Sequence, residues 1–310
     1  GHVVNAGKGS PSGGIYFDFS RFTDEQIDEM FEAVMDHFDG FYKHGYYHGE
    51  SIIDFRDLAK KKRRVEVGLT SEYSVGGIFV DENMFTGVPG LYAAGEAASG
   101  VFGANRVADA VTEMLVQGYK AGEVAAARAS EQTRVASDDA AIERAVGVLE
   151  KLLSIQGGIA VSEAIDRLGE ISDNALGMVR NETTLRAGVE AFETLGAEMD
   201  GISLRGKSLR YNRELMQALA ARNLLACSRV AAKMALERRE SRGLHLRDDY
   251  SYIDNENWQV RQLAELVNGE DKLSKKVPVV TRIPLRKAEK IDYESFILEE
   301  DLGMKNMEES

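Results

Sequence analysis

The chain has one cysteine, Cys227, in 310 residues. That excludes an internal disulfide and an iron–sulfur cluster held by several cysteines of this chain. No run of about 18 apolar residues occurs, so no transmembrane helix is expected. Cations are in deficit, with 38 Lys+Arg against 51 Asp+Glu and a formal charge of −13, which argues against a nucleic-acid binder. Prolines number four against thirty glycines, as in regular elements joined by glycine turns. The chain opens Gly1-His2-Val3-Val4, without Met and without a charged and apolar leader; the expectation is a fragment of a longer protein. What remains is globular composition, 44% hydrophobic and 29% charged, long enough for about two domains.

Glycines 1, 7, 9, 13 and 14 with Ser10, Pro11 and Ser12 make a loop, and Ile15 to Phe19 read as a short strand. Thr23-Asp-Glu-Gln26 is a capping box, followed by Ile27, Met30, Phe31, Val34 and Phe38 at helical spacing, which predicts a helix of about 16 residues. Residues 40–50 read as a Gly/Tyr/His loop. Lys60-Lys-Lys-Arg-Arg64 is the strongest basic run and reads as a solvated face. Val65 and Val67 begin an extended stretch. Ile78-Phe79-Val80 and Leu91-Tyr-Ala-Ala94 are short apolar runs between glycines, as buried strands are. From about 107 to 128 a helix rich in Ala and Gly is predicted, its small residues suited to close packing on a sheet or ligand. Ser137, Asp138 and Asp139 mark another helix start. Helical signal runs on to about 240, broken at Gly157-Gly158 and at residues 200–208. The end, from about 268, reads as charged and irregular, with Val277, Val279, Thr281 and Ile283 alternating like an edge strand.

Seven glycines, 76, 77, 87, 90, 95, 100 and 103, crowd 28 residues. Such density marks backbone that turns sharply or comes close to a ligand. Within it lie a glycine loop (Gly76-Gly77), a strand, a turn carrying Glu96, and a second glycine loop ending Gly103-Ala-Asn-Arg106. Glu96 just past a strand suits a sugar hydroxyl of a dinucleotide. Arg106 at a helix start suits an anionic substrate, since the guanidinium fork and the helix N-terminus both favour negative charge. An ordinary glycine-rich turn with a surface arginine is the competing reading, and the residues alone leave both open.

The stretch resembles the C-terminal part of the FAD-binding domain in the succinate dehydrogenase/fumarate reductase flavoprotein family, whose relatives include L-aspartate oxidase and the alpha chain of adenylylsulfate reductase. The family pattern is His-Tyr-Thr-Met-Gly-Gly-Ile, then Gly-Leu-Tyr-Ala-Ala-Gly-Glu, then His-Gly-Ala-Asn-Arg. Here it stands as Glu72-Tyr-Ser-Val-Gly-Gly-Ile78, Gly90-Leu-Tyr-Ala-Ala-Gly-Glu96 and Gly103-Ala-Asn-Arg106. Arg238-Arg-Glu-Ser-Arg-Gly-Leu-His-Leu-Arg-Asp-Asp-Tyr250, with Asp254 and Trp258, resembles the family's helical C-terminal domain, and Gly13 to Asp18 its capping-domain exit. The resemblance implies an α/β plus all-α fold: the second half of a Rossmann-like FAD-binding domain followed by a helical domain. It divides the chain into residues 1–64 (end of the capping domain), 65–130 (FAD-binding part), 131–265 (helical domain) and 266–310 (extended charged tail).

The implied cofactor is FAD, bound through Glu96, with Gly76 and Gly77 against the flavin and the backbone of Ala110 and Val111 touching its ring. The implied reaction is hydride transfer between flavin N5 and a small anionic substrate held by Arg106. An electron-transfer subunit is the implied partner, with the protein in the cytoplasm or attached to a membrane through that partner. No metal site is implied. Arg242, His245 and Arg247 read as an ion-paired helix end rather than site residues, and His37, His44 and His48 as surface or packing residues.

Two departures matter. Glu72 stands at the family's substrate histidine, and an ionised carboxylate there repels a substrate carboxylate by about 4 kcal/mol at ~4 Å and an effective dielectric of ~20. Asp109 adds a second carboxylate in the shortened Arg106-Val-Ala-Asp-Ala110 segment. Both favour a substrate with an amino or neutral polar group, so L-aspartate-oxidase-like amine oxidation is the alternative enzyme. A flavin-free scaffold or assembly module is the non-enzyme alternative. The pyrophosphate-cradling Gly-x-Gly-x-x-Gly turn is missing after any strand of this chain.

Overall fold

The computed structural model describes residues 9–10, 14–37, 46–48, 51–53, 55–68, 73–99, 110–132, 137–268, 270–276 and 291–292. The chain divides into two compact units, Gly1–Glu72 and Tyr73–Ser310.

In the first unit β1 (Ile15–Asp18) pairs antiparallel with β4 (Arg64–Val67), Ile15 opposite Val67 and Asp18 opposite Arg64. Between them come α1 (Asp24–His37), a hairpin of β2 (Tyr46–His48) and β3 (Ser51–Ile53), and α2 (Phe55–Lys62). The capping box forms as the sequence predicts: Gln26 N donates to Thr23 Oγ1 at 3.2 Å and Thr23 N to Gln26 Oε1 at 2.9 Å. The helix behind it has 14 residues. Phe19, Ile27, Ala59 and Val65 form a small core, with Phe31 and Phe55 against it. The basic run is ion-paired: Lys60 with Asp28, Arg63 with Asp24, and Arg64 with Asp18 at 3.5 Å. The hairpin corrects the loop expected over residues 40–50.

The second unit starts with irregular backbone over residues 73–99 around a short 3-10 turn, Gly95–Ala97. The two apolar runs expected as buried strands make single bridges instead, Ile78 with Ala98 and Phe85 with Tyr92, and Ile78 and Leu91 are each 49% exposed. Then follow α3 (Ala110–Glu131) and α4 (Asp139–Ser154), the latter capped by Asp138 as its sequence predicts, with the carboxylate accepting from Ala141 N at 3.1 Å. At Gly118 and Gly122 of α3 a Cβ would meet nothing within 4 Å among the described residues.

The main core lies between α5 (Val161–Leu176), α6 (Glu182–Met199) and α7 (Arg213–Glu237). Leu168, Phe192, Leu195, Met199, Leu215 and Ala218 are fully or nearly fully buried there, each larger apolar side chain contributing roughly 1.5–3 kcal/mol. The break expected at Gly157-Gly158 separates α4 from α5, and that at residues 200–208 separates α6 from α7.

Beyond α7 the chain folds into a polar knot. Short β5 (Val179–Arg180) runs parallel to β6 (Leu246–Arg247). β7 (Tyr252–Ile253) pairs with β10 (Ile291–Asp292), and α8 (Asn255–Trp258) is capped by Asp254. Glu240, fully buried, accepts from Arg238 and from Arg242 Nε at 2.8 Å, and from Asp254 N at 2.8 Å. Arg247, buried as deeply, donates twice to Asp249 at 2.7 Å and once to Ala235 O at 2.8 Å. His245 Nδ1 lies 3.1 Å from Arg180 and its Nε2 3.3 Å from Arg238 O. Burial and the Arg180 cation push the imidazole down to about 4, so it is neutral, Nε2 donating to the carbonyl and Nδ1 accepting from Arg180. These residues form the ion-paired end of α7.

A hairpin of β8 (Arg261–Val267) and β9 (Glu270–Lys276) follows, its second strand lying where the sequence reads as irregular. Its register turns at Asn268, with φ of 52°, the left-handed backbone that Asn-Gly turns use. Asp271 ties it to α7, accepting from Arg229 and Lys233 at 3.1 Å. Trp258, 7% exposed, lies between the Arg238 guanidinium and Lys275 Nζ, which is 3.4 Å from the ring centre. The expected edge strand at Val277–Ile283 lies outside the described residues. Among the described residues no helix is long and apolar enough to cross a membrane.

Candidate functional site

The glycine-rich stretch builds one locus in the second unit. Residues 76–78 run alongside the turn at Gly95–Ala97. Ile78 N donates to Ala97 O at 2.8 Å, and Ser99 N donates to Ile78 O at 2.8 Å. The approach is so close that a Cβ at Gly77, whose φ is +149°, would sit 2.5 Å from Ala97 O; only glycine fits there. At Gly76 a Cβ would meet nothing within 4 Å, so the loop is tight on its turn side and open on the other.

Glu96 sits in the turn, exposed, and its Oε1 accepts from Ser74 N at 2.6 Å. One carboxylate oxygen thus holds the glycine loop, and the other makes no hydrogen bond among the described residues. The turn rests on α3. Gly95 N donates to Gln117 Oε1 at 2.7 Å, and Met114 packs on Gly95, where a Cβ would come within 3.0 Å of its Cγ. Gln117 Nε2 donates to Glu113 Oε1 at 3.1 Å, and Tyr73 Oη donates to Glu113 Oε2 at 2.9 Å. Glu113 and Gln117 are only 5% and 6% exposed on a helix whose Val111, Leu115, Val116 and Tyr119 are open to solvent.

Of the residues singled out from sequence, the structure brings together Gly76, Gly77 and Glu96, next to the first turns of α3. Ala110 is the buried first residue of that helix, and Val111 beside it is exposed. Glu72, Arg106 and Asp109 lie outside the described residues, as do His44 and the side chains of His37 and His48. Arg242, His245 and Arg247 belong to the knot at the end of α7. Sequence reasoning passed over Tyr73, Glu113 and Gln117. The available signal was a polar pair at i and i+4 in a helix otherwise apolar or small on that side.

The locus fits a dinucleotide. It offers backbone that can be approached closely, an exposed carboxylate with an open oxygen for a sugar hydroxyl, and the first turn of α3. Buried hydroxyls are nearly always partnered, yet Ser99 Oγ, three residues past Glu96, is buried without a partner among the described residues.

Residues 2–109 match the FAD binding domain family, and residues 165–293 match the family described as fumarate reductase flavoprotein C-term. The chain is 34% identical over 196 residues to the fumarate reductase flavoprotein subunit of Haemophilus influenzae, covering 62% of this chain and 33% of that protein. It is 30% identical over 218 residues to the fumarate reductase flavoprotein subunit of Helicobacter pylori, covering 69% and 30%. Among solved structures, Sdh1 of Mycobacterium smegmatis in complex with UQ1 superposes with a TM-score of 0.77 at 28% identity, over 92% of this chain and 46% of that one. The chain spans less than half the length of these relatives. With an FAD-binding part ahead of a helical part, and both family descriptions matched in order, the chain belongs to the FAD-dependent succinate dehydrogenase/fumarate reductase flavoprotein family.

Proposed function

We propose that the chain is the second half of an FAD-dependent oxidoreductase that transfers hydride between the flavin and a small anionic substrate. The observation that carries this reading is the convergence of Gly76, Gly77, Glu96 and the start of α3 on one locus. Residues 1–64 would end the capping domain, 65–130 complete the FAD-binding domain, 131–265 form the helical domain, and 266–310 extend from it.

Bound FAD supplies the hydride donor and acceptor at N5. The open oxygen of Glu96 accepts from a ribose hydroxyl of the cofactor. Gly76 and Gly77 would let backbone lie against the flavin, and the backbone of Ala110 and Val111 would touch its ring. Arg106 binds a substrate carboxylate through its fork and holds it in place. Glu72, the neighbour of Tyr73, sets substrate choice: ionised, it disfavours a plain dicarboxylate and favours an amino group. L-aspartate is therefore the second substrate to try. The single cysteine of this chain cannot carry a relay of clusters, and electrons would pass through an electron-transfer subunit or a free reductant. The relatives' names support such a partner, which would also hold the protein at a membrane from the cytoplasmic side.

The test uses the complete protein with a reduced dye and fumarate, and with L-aspartate and an acceptor dye. Turnover with either substrate, lost by two or more orders of magnitude in Arg106→Lys, supports the reading. A complete protein that purifies without visible flavin absorbance and turns over neither substrate points to a scaffold instead.

A further inference from the structure

We propose that Glu113 and Gln117 are positioning residues: a buried two-residue clamp on α3 that holds the glycine loop and the Glu96 turn in one arrangement for the cofactor. The inference rests on the proposed function for its purpose, but its geometry stands without a flavin.

Glu113 and Gln117 occupy successive turns of α3 and are bonded to each other through Gln117 Nε2. Each then reaches a different segment. Glu113 Oε2 takes the Tyr73 hydroxyl, which precedes the Gly76-Gly77 loop. Gln117 Oε1 takes the Gly95 amide, which enters the turn bearing Glu96. The two held segments are joined again by Glu96 and Ser74 N. The result is a closed circuit through Tyr73, Glu113, Gln117, Gly95, Glu96 and Ser74. It links the segments that carry Gly76, Gly77 and Glu96.

Side-chain hydrogen bonds of this kind normally finish a helix or a turn locally. Here both are long-range, 40 and 22 residues apart in sequence, and they serve segments with little ladder of their own. In a stretch limited to single bridges, buried polar groups on a rigid helix supply the order that a sheet would otherwise give. That is how supporting side chains preorganise a site. Gln117 is well suited to its place, since its amide accepts from Gly95 while donating to Glu113, which a carboxylate cannot do.

The test is hydrogen exchange on the 310-residue chain, read over residues 73–80 and 95–99, with no flavin present. Glu113→Ala should speed exchange about tenfold in residues 73–80, with a smaller rise in 95–99, and Gln117→Ala should do so chiefly in residues 95–99. Tyr73→Phe, which removes one hydroxyl and endangers folding least, should release residues 73–80 alone. Glu113→Gln, which keeps an acceptor for Gln117 and a partner for Tyr73, should restore protection. Unchanged exchange in all variants, or a rise spread evenly over α5, α6 and α7, overturns the clamp. In the complete protein the alanine variants should weaken FAD about tenfold while Glu113→Gln stays within about twofold. If the parent binds FAD and the variants match it, the clamp fails and the proposed function stands. If the parent binds none, the proposed function fails, and the exchange data still decide whether the circuit exists.

Discussion

The Ser74 amide donates to Glu96 Oε1 at 2.6 Å. That bond ties the glycine loop to the turn after the Leu91–Ala94 run, and it divides the carboxylate between an internal and an outward duty. Glu96→Gln keeps an acceptor for Ser74 but loses the charge that strengthens the bond. Glu96→Ala loses both, so loop order and cofactor affinity should fall together.

The Glu240 carboxylate is fully buried between Arg238 and Arg242. Glu240→Ala should therefore destabilise the fold by roughly 3–5 kcal/mol, because it leaves two guanidinium groups partly buried without their shared anion. Urea unfolding measures it. A loss below about 1 kcal/mol would mean the pair is solvent-compensated.

His245 gives the fold a pH dependence. Its folded value of about 4 lies below the usual 6.5, so the unfolded chain takes up a proton more readily than the folded one. Stability is complete above about pH 6.5 and falls as pH drops towards about 4, by roughly 3 kcal/mol at most. The groups facing it, Arg180, Arg238 and Arg247, are all cationic and oppose protonation. Unfolding midpoints of the parent and His245→Gln, followed down this range, should converge at low pH. Parallel curves would remove His245 as the cause.

Trp258 is the single tryptophan, so its emission reports one place. Burial and the nearby Lys275 and Arg238 predict a blue-shifted maximum in the folded chain. Lys275→Ala should change its intensity without unfolding the helical core. A maximum like that of free tryptophan in water contradicts the burial of Trp258.

Glu72 should make the complete protein a poor fumarate reductase at neutral pH. A carboxyl with a reference value of about 4.3 is ionised there and repels fumarate. Fumarate turnover should rise as pH falls from about 8 to about 6 and should rise in Glu72→His. Strong turnover by the parent across that range, reduced in Glu72→His, would reverse the assignment of Glu72.

How much of this was legible in the sequence varies with the kind of signal. Caps were: Thr23 with Gln26 and Asp138 act where local chemistry puts them, because a cap is decided within four residues. Gly76, Gly77 and Glu96 could be grouped in advance because glycine density and a motif resemblance coincided. The β8–β9 hairpin was missed because strands such as Glu-Asp-Lys-Leu-Ser-Lys-Lys carry no apolar alternation; Asp271 and the cations over Trp258 hold it instead. Ile78 and Leu91 look like core in sequence, yet each is 49% exposed, and their runs make one bridge each, at Ile78 and at Tyr92. Glu113 and Gln117 escaped notice because their partners are 40 and 22 residues away, a distance no local pattern encodes.

The central claim is that Glu96 and the glycine loop form an FAD site, and FAD titration followed by flavin fluorescence tests it most directly. The 310-residue chain should bind weakly, since no Gly-x-Gly-x-x-Gly turn follows a strand to cradle the pyrophosphate. The complete protein should bind stoichiometrically, and Glu96→Ala should weaken it by about tenfold or more, the worth of a charge-assisted hydrogen bond to a ribose hydroxyl. A Glu96→Ala protein that holds FAD as tightly as its parent would contradict the account.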